Sequence, residues 1–268
     1  MNVAALPDAL VPNALLIEAL GASIEELTDR PLAPVDVAVI DSGVDATHPD
    51  LAPRVVRAFR FEPGERGTNE VTLPPGTVND SFGHGTGVAG IIARIAPNAR
   101  IHDIRVLNTG NRGSGEDLVR GLRIAVRERI PIINMSLACP AKHAPDLVPL
   151  CERAWYQGQL IIAAKRNVPI TDDGFPAEFS SCLGVDTEAL TSPFRFRFRD
   201  RGRIELVALG ENVPTAGLDG GYTSMTGTSF ATPTVSALCA RLLGAFPGLR
   251  PFEVRAILRR TALQEVLA

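Results

Sequence analysis

The sequence predicts an α/β fold: a single doubly wound, mostly parallel sheet flanked by helices. Two observations predict it. Short β-branched or apolar runs at 35–40, 101–107, 131–135 and 160–164 have the length and composition of buried strands. Between and after them, stretches 84–95, 114–128, 147–157, 229–245 and 251–261 carry helical apolar spacing. Strands that alternate with helices call for right-handed crossovers, which lay the strands side by side in parallel.

In chain order, Pro12 to Leu20 is a short helix candidate that ends near Gly21. Val35-Asp36-Val37-Ala38-Val39-Ile40 is a buried strand. Segment 59–80 holds several glycines and prolines and reads as a long loop. His84 to Ile95 has helical spacing with small residues, and Ile101 to Leu107 is a strand. Ser114 to Glu128 is an amphipathic helix, with Leu118, Leu122, Ile124 and Val126 apolar and Glu116 and Asp117 in its first turn. Segment 178–210 is β-like. Within it Phe194, Phe196 and Phe198 alternate with Arg195, Arg197 and Arg199, an edge strand with rings on one face and solvated guanidinium groups on the other. Pro251 stands where a helix start favours proline. No repeat or linker divides the chain further, so 1–34 reads as an N-terminal arm and 35–268 as one domain.

Composition removes several function classes. At 268 residues, 45% hydrophobic and 21% charged, with net charge −3, the chain is neither collagenous, coiled-coil nor disordered. It has no bulk basicity for nucleic acid, and no apolar run of the ~18 residues a membrane span needs. The start lacks the basic and apolar regions of a secretory leader, and Cys139, Cys151, Cys182 and Cys239 are widely spaced. These features point to reduced thiols and a cytoplasmic protein.

Three segments carry chemistry. Val39-Ile40-Asp41-Ser42-Gly43 puts a carboxylate at the C-terminal end of a buried strand, the edge where ligands bind open α/β sheets. His84 sits between glycines at a helix start, so a substrate backbone can approach the imidazole; His48, His102 and His143 lack that setting and read as surface or structural. Gly227-Thr228-Ser229 is a Gly-led turn into a helix whose free N–H groups suit a developing oxyanion. Together they offer a carboxylate, a base and a nucleophile in the order Asp41, His84, Ser229.

Asp41-Ser42-Gly43-Val44-Asp45, His84-Gly85-Thr86-Gly87-Val88-Ala89-Gly90 and Gly227-Thr228-Ser229-Phe230-Ala231-Thr232-Pro233 resemble the three signature segments of subtilases, the subtilisin-like serine endopeptidases. The resemblance covers roughly 33–264. It implies that Ser229 attacks the scissile carbonyl, His84 is the base and Asp41 orients it. It implies that Gly113, Ser114 and Gly115 form one edge of the substrate groove and Ser136, Leu137 and Ala138 the other. An extended peptide would then lie between them as an added strand.

The chain departs from that pattern in places. The family's oxyanion asparagine follows Ala-Ala-Gly; here Ala163-Ala164-Lys165-Arg166-Asn167 assigns the role to Asn167, with Arg166 in place of glycine. Ala138 and Arg166 replace small pocket-wall residues, so a large aromatic residue before the scissile bond should fit poorly. An inward Arg166 would instead suit a carboxylate. The calcium loop common after the histidine helix is missing, so neither a metal site nor a cofactor is expected, and the first 34 residues are too few for the usual inhibitory prodomain. Cys139, just past the pocket wall, should admit thiol reagents that obstruct the groove. The reading is an intracellular endopeptidase for limited processing of peptide or protein substrates. The alternatives are maturation of a peptide natural product, or a pseudoprotease that grips peptides with an impaired oxyanion hole.

Overall fold

The computed structural model describes residues 14–64, 67–167 and 174–263. Pro12 and Asn13 of the first predicted helix lie outside them; the helix itself is α1 (Ala14–Gly21). Among the described residues nine strands form the central sheet: β1 (Val35–Asp41), β2 (Val55–Gly64), β3 (Gly67–Leu73), β4 (Ala99–Arg105), β5 (Ile132–Met135), β6 (Leu160–Ala164), β7 (Cys182–Glu188), β8 (Arg197–Phe198) and β9 (Leu206–Leu209). Their spatial order is β3-β2-β4-β1-β5-β6-β7-β9-β8. The internal pairs are parallel, and only the outer pairs β2–β3 and β8–β9 are antiparallel.

Each face of the sheet is covered, as a parallel sheet requires. α2 (His84–Ile95) and α5 (Thr228–Ala245) pack on the face that carries Val37, Val39, Ile101 and Ile132. α3 (Gly115–Arg127) and α4 (Ala144–Tyr156) pack on the face of Ala38, Ile40, Ile104 and Ile133. Alternate residues of β1 therefore serve opposite cores, which is why that strand reads as a continuous apolar run. The chain leaves β1 toward β4 and then crosses, through α3, to β5 on the other side. This reversal opens a crevice at the C-terminal ends of β1 and β5. α6 (Pro251–Thr261) closes the described chain, with Pro251 in its first turn.

Two expectations need correction, and one element was not foreseen. Segment 59–80 is not one long loop: β2 and β3 make a hairpin over 55–73. Its glycines mark the turn, where Gly64 pairs with Gly67, while Phe59 and Phe61 stand opposite Thr72 and Glu70 in the ladder. The helix expected from Leu147 begins at Ala144, because Pro145 suits a first turn. A second sheet, β10 (Val213–Ala216) with β11 (Tyr222–Met225), precedes α5 and packs on α2, where Thr215 donates to the Gly87 carbonyl. The arginine–phenylalanine alternation is an edge strand only at β8, Arg197–Phe198; Phe194 lies in a turn before it. Phe196 is buried, and Arg197 and Arg199 pair with Glu188 and Asp186.

Arg241 on α5 is 1% exposed yet charged. It donates to the carbonyls of Ile24 (3.2 Å), Glu25 (3.0 Å) and Ile95 (3.0 Å), so it ties the segment ahead of β1 and the end of α2 to the core.

Candidate active site

Asp41 ends β1 in the crevice and is fully buried. Its Oδ1 accepts from the Ser42 N–H at 2.7 Å and from His84 Nδ1 at 2.7 Å. Close approach of α2 makes this pair possible. A β-carbon on Gly85 would fall 2.1 Å from the Gly43 carbonyl oxygen and 3.1 Å from Asp41 Cβ, so only glycine fits there.

The first turn of α2 is held from outside. Asp80 Oδ1 accepts from the N–H groups of Phe82 (2.9 Å) and Gly83 (3.0 Å); its Oδ2 accepts from the N–H (3.0 Å) and hydroxyl (2.7 Å) of Thr86. Ser42 bridges the two motifs, donating to Asp80 Oδ1 and accepting from the Gly85 N–H. These bonds satisfy donors that a helix start leaves open. Burial alone would raise the Asp80 carboxyl, but its donors outweigh that and hold it below the ordinary carboxylate value. Neither Asp80 nor Ser42 was singled out from sequence. An acidic residue just before a helix start was the available signal.

His84 is deeply buried, and burial on its own lowers an imidazole. The charge and hydrogen bond of Asp41, joined by the charge of Asp80, prevail and raise it above 6.5. The carboxylates therefore favour the imidazolium, the form a base reaches after taking a proton.

Ser229 lies in the first turn of α5. Its hydroxyl donates to the Ser136 carbonyl at 3.0 Å. Thr228 Oγ1 donates to the Lys165 carbonyl (2.7 Å) and lies 3.1 Å from Asn167 Oδ1. The single Thr228 proton serves one of these oxygens at a time; the contact brings the Asn167 amide to the first turn of α5, where Nδ2 has no acceptor among the described residues. Lys165 turns away and pairs with Asp186 at 3.0 Å.

His84, Ser229, Gly113–Gly115 and Ser136–Ala138 line one groove. Ser114 caps α3, exchanging bonds with Asp117, so its side chain braces the wall. Arg166 and Ala138 converge at Gly174: their β-carbons lie 2.8 and 2.9 Å from where a Gly174 β-carbon would sit. His143, read as surface or structural, is structural: it lines the groove with its ring against Gly115, where an added β-carbon would fall 2.3 Å from the imidazole. One expectation is corrected: Cys139 lines the groove but is only 5% exposed, which leaves little of its thiol open to bulky reagents.

Only Ala96-Pro97-Asn98 joins α2 to β4, and Asn98 Nδ2 is spent on the Ala33 and Ala240 carbonyls. This link does not fit a calcium loop. Among the described residues no helix is long and apolar enough to cross a membrane, and no three His, Cys, Asp or Glu side chains form a metal-binding group.

A family model described as the subtilase family matches residues 34–267. The chain is 30% identical over 250 residues to the major intracellular serine protease of Bacillus subtilis (strain 168), an alignment of 87% of this chain and 74% of that protein. It is 32% identical over 244 residues to subtilisin DY of Bacillus licheniformis, covering 86% and 84%. Among solved structures it resembles sphericase, with TM-score 0.72, 26% identity and 88% of each chain covered.

Proposed function

Because this chain belongs to the subtilase family and is a serine endopeptidase, we propose that it cleaves through Asp41, His84 and Ser229 by way of an acyl-enzyme. One observation carries the reading: His84, paired from behind with the buried Asp41, and Ser229 face a groove walled by Gly113–Gly115 and Ser136–Ala138. Ser229 Oγ attacks the carbonyl carbon, and His84 Nε2 takes its proton and returns it to the leaving amine. Asp41 holds Nδ1–H and stabilises the imidazolium. Asn167 Nδ2 and the unpaired N–H groups at the start of α5 receive the oxyanion.

The proposal includes Arg166 and Ala138, whose β-carbons converge at Gly174, as walls that narrow the pocket for the residue before the scissile bond and so favour small side chains. Limited processing inside the cell is part of the proposal. It is supported by the intracellular relative and by four free cysteines, all buried. The substrate is a peptide or protein; Arg197 and Arg199 are engaged with Glu188 and Asp186.

The test is a fluorophosphonate probe and a peptide mixture, applied to wild type and Ser229→Ala. Labelling and cleavage in the wild type and neither in the variant support the reading. Full labelling of Ser229→Ala would sink it.

A further inference from the structure

We propose that Asp103 and Asn79 form a buried acid–amide pair in which the acid keeps its proton, and that this pair positions the His84–Asp41 couple. Asp103 lies in the middle of β4, beside Val39 of β1, and is 1% exposed. Its Oδ2 accepts from Asn79 Nδ2 at 2.8 Å; the same Nδ2 reaches the Phe59 carbonyl at 3.2 Å. That uses both amide hydrogens. Of the two oxygens left over, both buried, Asn79 Oδ1 has no donor among the described residues, and Asp103 Oδ1 has at most the Val44 N–H beside the carboxyl. One proton on Asp103 supplies the donor that Asn79 Oδ1 lacks. A carboxylic acid meets an amide as N–H to one oxygen and O–H to the other, whereas a carboxylate leaves the amide oxygen bare.

The charges around Asp103 act in the same sense. Asp80 adjoins Asn79 and Asp41 ends the neighbouring strand, so both oppose a third negative charge, while His84 is engaged with Asp41. Arg105, on β4, spends its guanidinium on the carbonyls of Asn79 and Leu107 and on Ser81. On β2, Arg57 and Arg60 are taken by Glu128 and Glu62. Burial is the largest effect, and with the two carboxylates it outweighs the Asn79 and Val44 donors, lifting Asp103 to about 8.

The pair acts on catalysis through Asn79. Asn79 N–H donates to the Val44 carbonyl at 3.1 Å, and the next residue, Asp80, holds the first turn of α2. Packing is tight: a β-carbon on Gly43 would fall 2.3 Å from the Asn79 carbonyl oxygen. Loss of the proton from Asp103 sets its oxygen against the bare amide oxygen of Asn79, and Asn79 cannot shift without disturbing both the 41–43 turn and His84.

The experiment compares wild type with Asp103→Asn, which keeps an amide–amide pair without a titrating proton, and with Asp103→Ala. Melting temperature is followed from about pH 5 to about pH 10. Above the ordinary carboxylate value the unfolded chain releases a proton that the folded chain keeps. Wild-type stability should therefore fall relative to both variants until about 8 and run level with them beyond it. The second readout is the rate at which fluorophosphonate labels Ser229, which rests on the proposed function. Wild-type labelling should fall severalfold above about 8, Asp103→Asn should lack that fall, and Asp103→Ala should label about tenfold more slowly throughout. Melting curves with identical pH slopes would overturn the pair. An identical pH profile of labelling in Asp103→Asn would overturn its positioning role. No labelling of wild type at any pH would overturn the proposed function, and the melting curves would still decide the pair.

Discussion

Ser136 and Ser229 hold each other twice. The Ser229 hydroxyl donates to the Ser136 carbonyl at 3.0 Å, and the Ser136 hydroxyl donates back to the Ser229 carbonyl at 2.7 Å. Asn134 Nδ2 supports Ser136 Oγ, and Ser236 supports Asn134. A hydroxyl has one proton, so Ser229 must rotate before it can give that proton to His84. The clamp fixes the backbone around which it turns.

Ser136→Ala removes the return bond and keeps the carbonyl acceptor. One hydrogen bond of about 1 kcal/mol corresponds to roughly a fivefold to tenfold fall in kcat. KM should change little. Steady-state kinetics on a peptide substrate checks this, and an unchanged kcat rejects it.

In the proposed mechanism catalysis needs neutral His84. Because its pKa is raised by Asp41 and Asp80 against the opposing effect of burial, kcat/KM should be lost as pH falls through a value above 6.5. Asp41→Asn should move that limb downward and lower kcat by on the order of 10⁴. Stability follows the same linkage. The contribution of the Asp41–His84 pair is complete below the ordinary histidine value and fades as pH rises through the raised one. A limb that stays in place in Asp41→Asn contradicts the assignment.

The β-carbons of Arg166 and Ala138 can be no farther apart than 2.8 and 2.9 Å taken together. In the proposed pocket the side chain before the scissile bond enters between them, and an aromatic ring, which needs about 3.5 to 4 Å on each face, exceeds that gap. Cleavage after Ala or Gly should outrun cleavage after Phe or Tyr. The double variant Arg166→Gly, Ala138→Gly should shift the ratio toward Phe by at least about tenfold, a modest differential of roughly 1.4 kcal/mol. Profiling with a peptide library decides it; equal wild-type rates after Phe and Ala would exclude the narrowing.

Arg241→Met keeps the apolar stem and strips donors from three carbonyls, two of them, those of Ile24 and Ile95, buried. With about 1–3 kcal/mol for each acceptor left unmet, a loss of about 3 kcal/mol or more is expected. Urea unfolding should show a lower midpoint with an unchanged m-value. A loss under about 1 kcal/mol would mean that water replaces the guanidinium.

Asp41, His84 and Ser229 were readable because each stands among small residues at the end of a strand or the start of a helix, a strictly local pattern. The proposed role of Asn167 came from the subtilase resemblance, through its spacing from Gly158 ahead of β6. The residues that steady the three were not readable. Asp103 meets Asn79 across 24 positions, and nothing near Asp103 marks it as anything but an interruption in a strand. His143 was set aside because its own neighbours are unremarkable; its importance lies in the Gly115 surface it covers. The hairpin over 55–73 was hidden because glycine and proline signal a turn and a loop alike until the facing strand is known.

By itself the sequence determined the α/β class, the alternation of strands and helices, and the three chemical groups with their order along the chain. Those depend on backbone sterics and side-chain periodicity within a few residues. The tertiary structure alone decided that Lys165 turns to Asp186, that Arg166 and Ala138 converge on Gly174, and that a buried carboxyl lies behind His84. Burial, electrostatic field and contact distance are set by the whole packed sheet, and no local stretch of residues contains them.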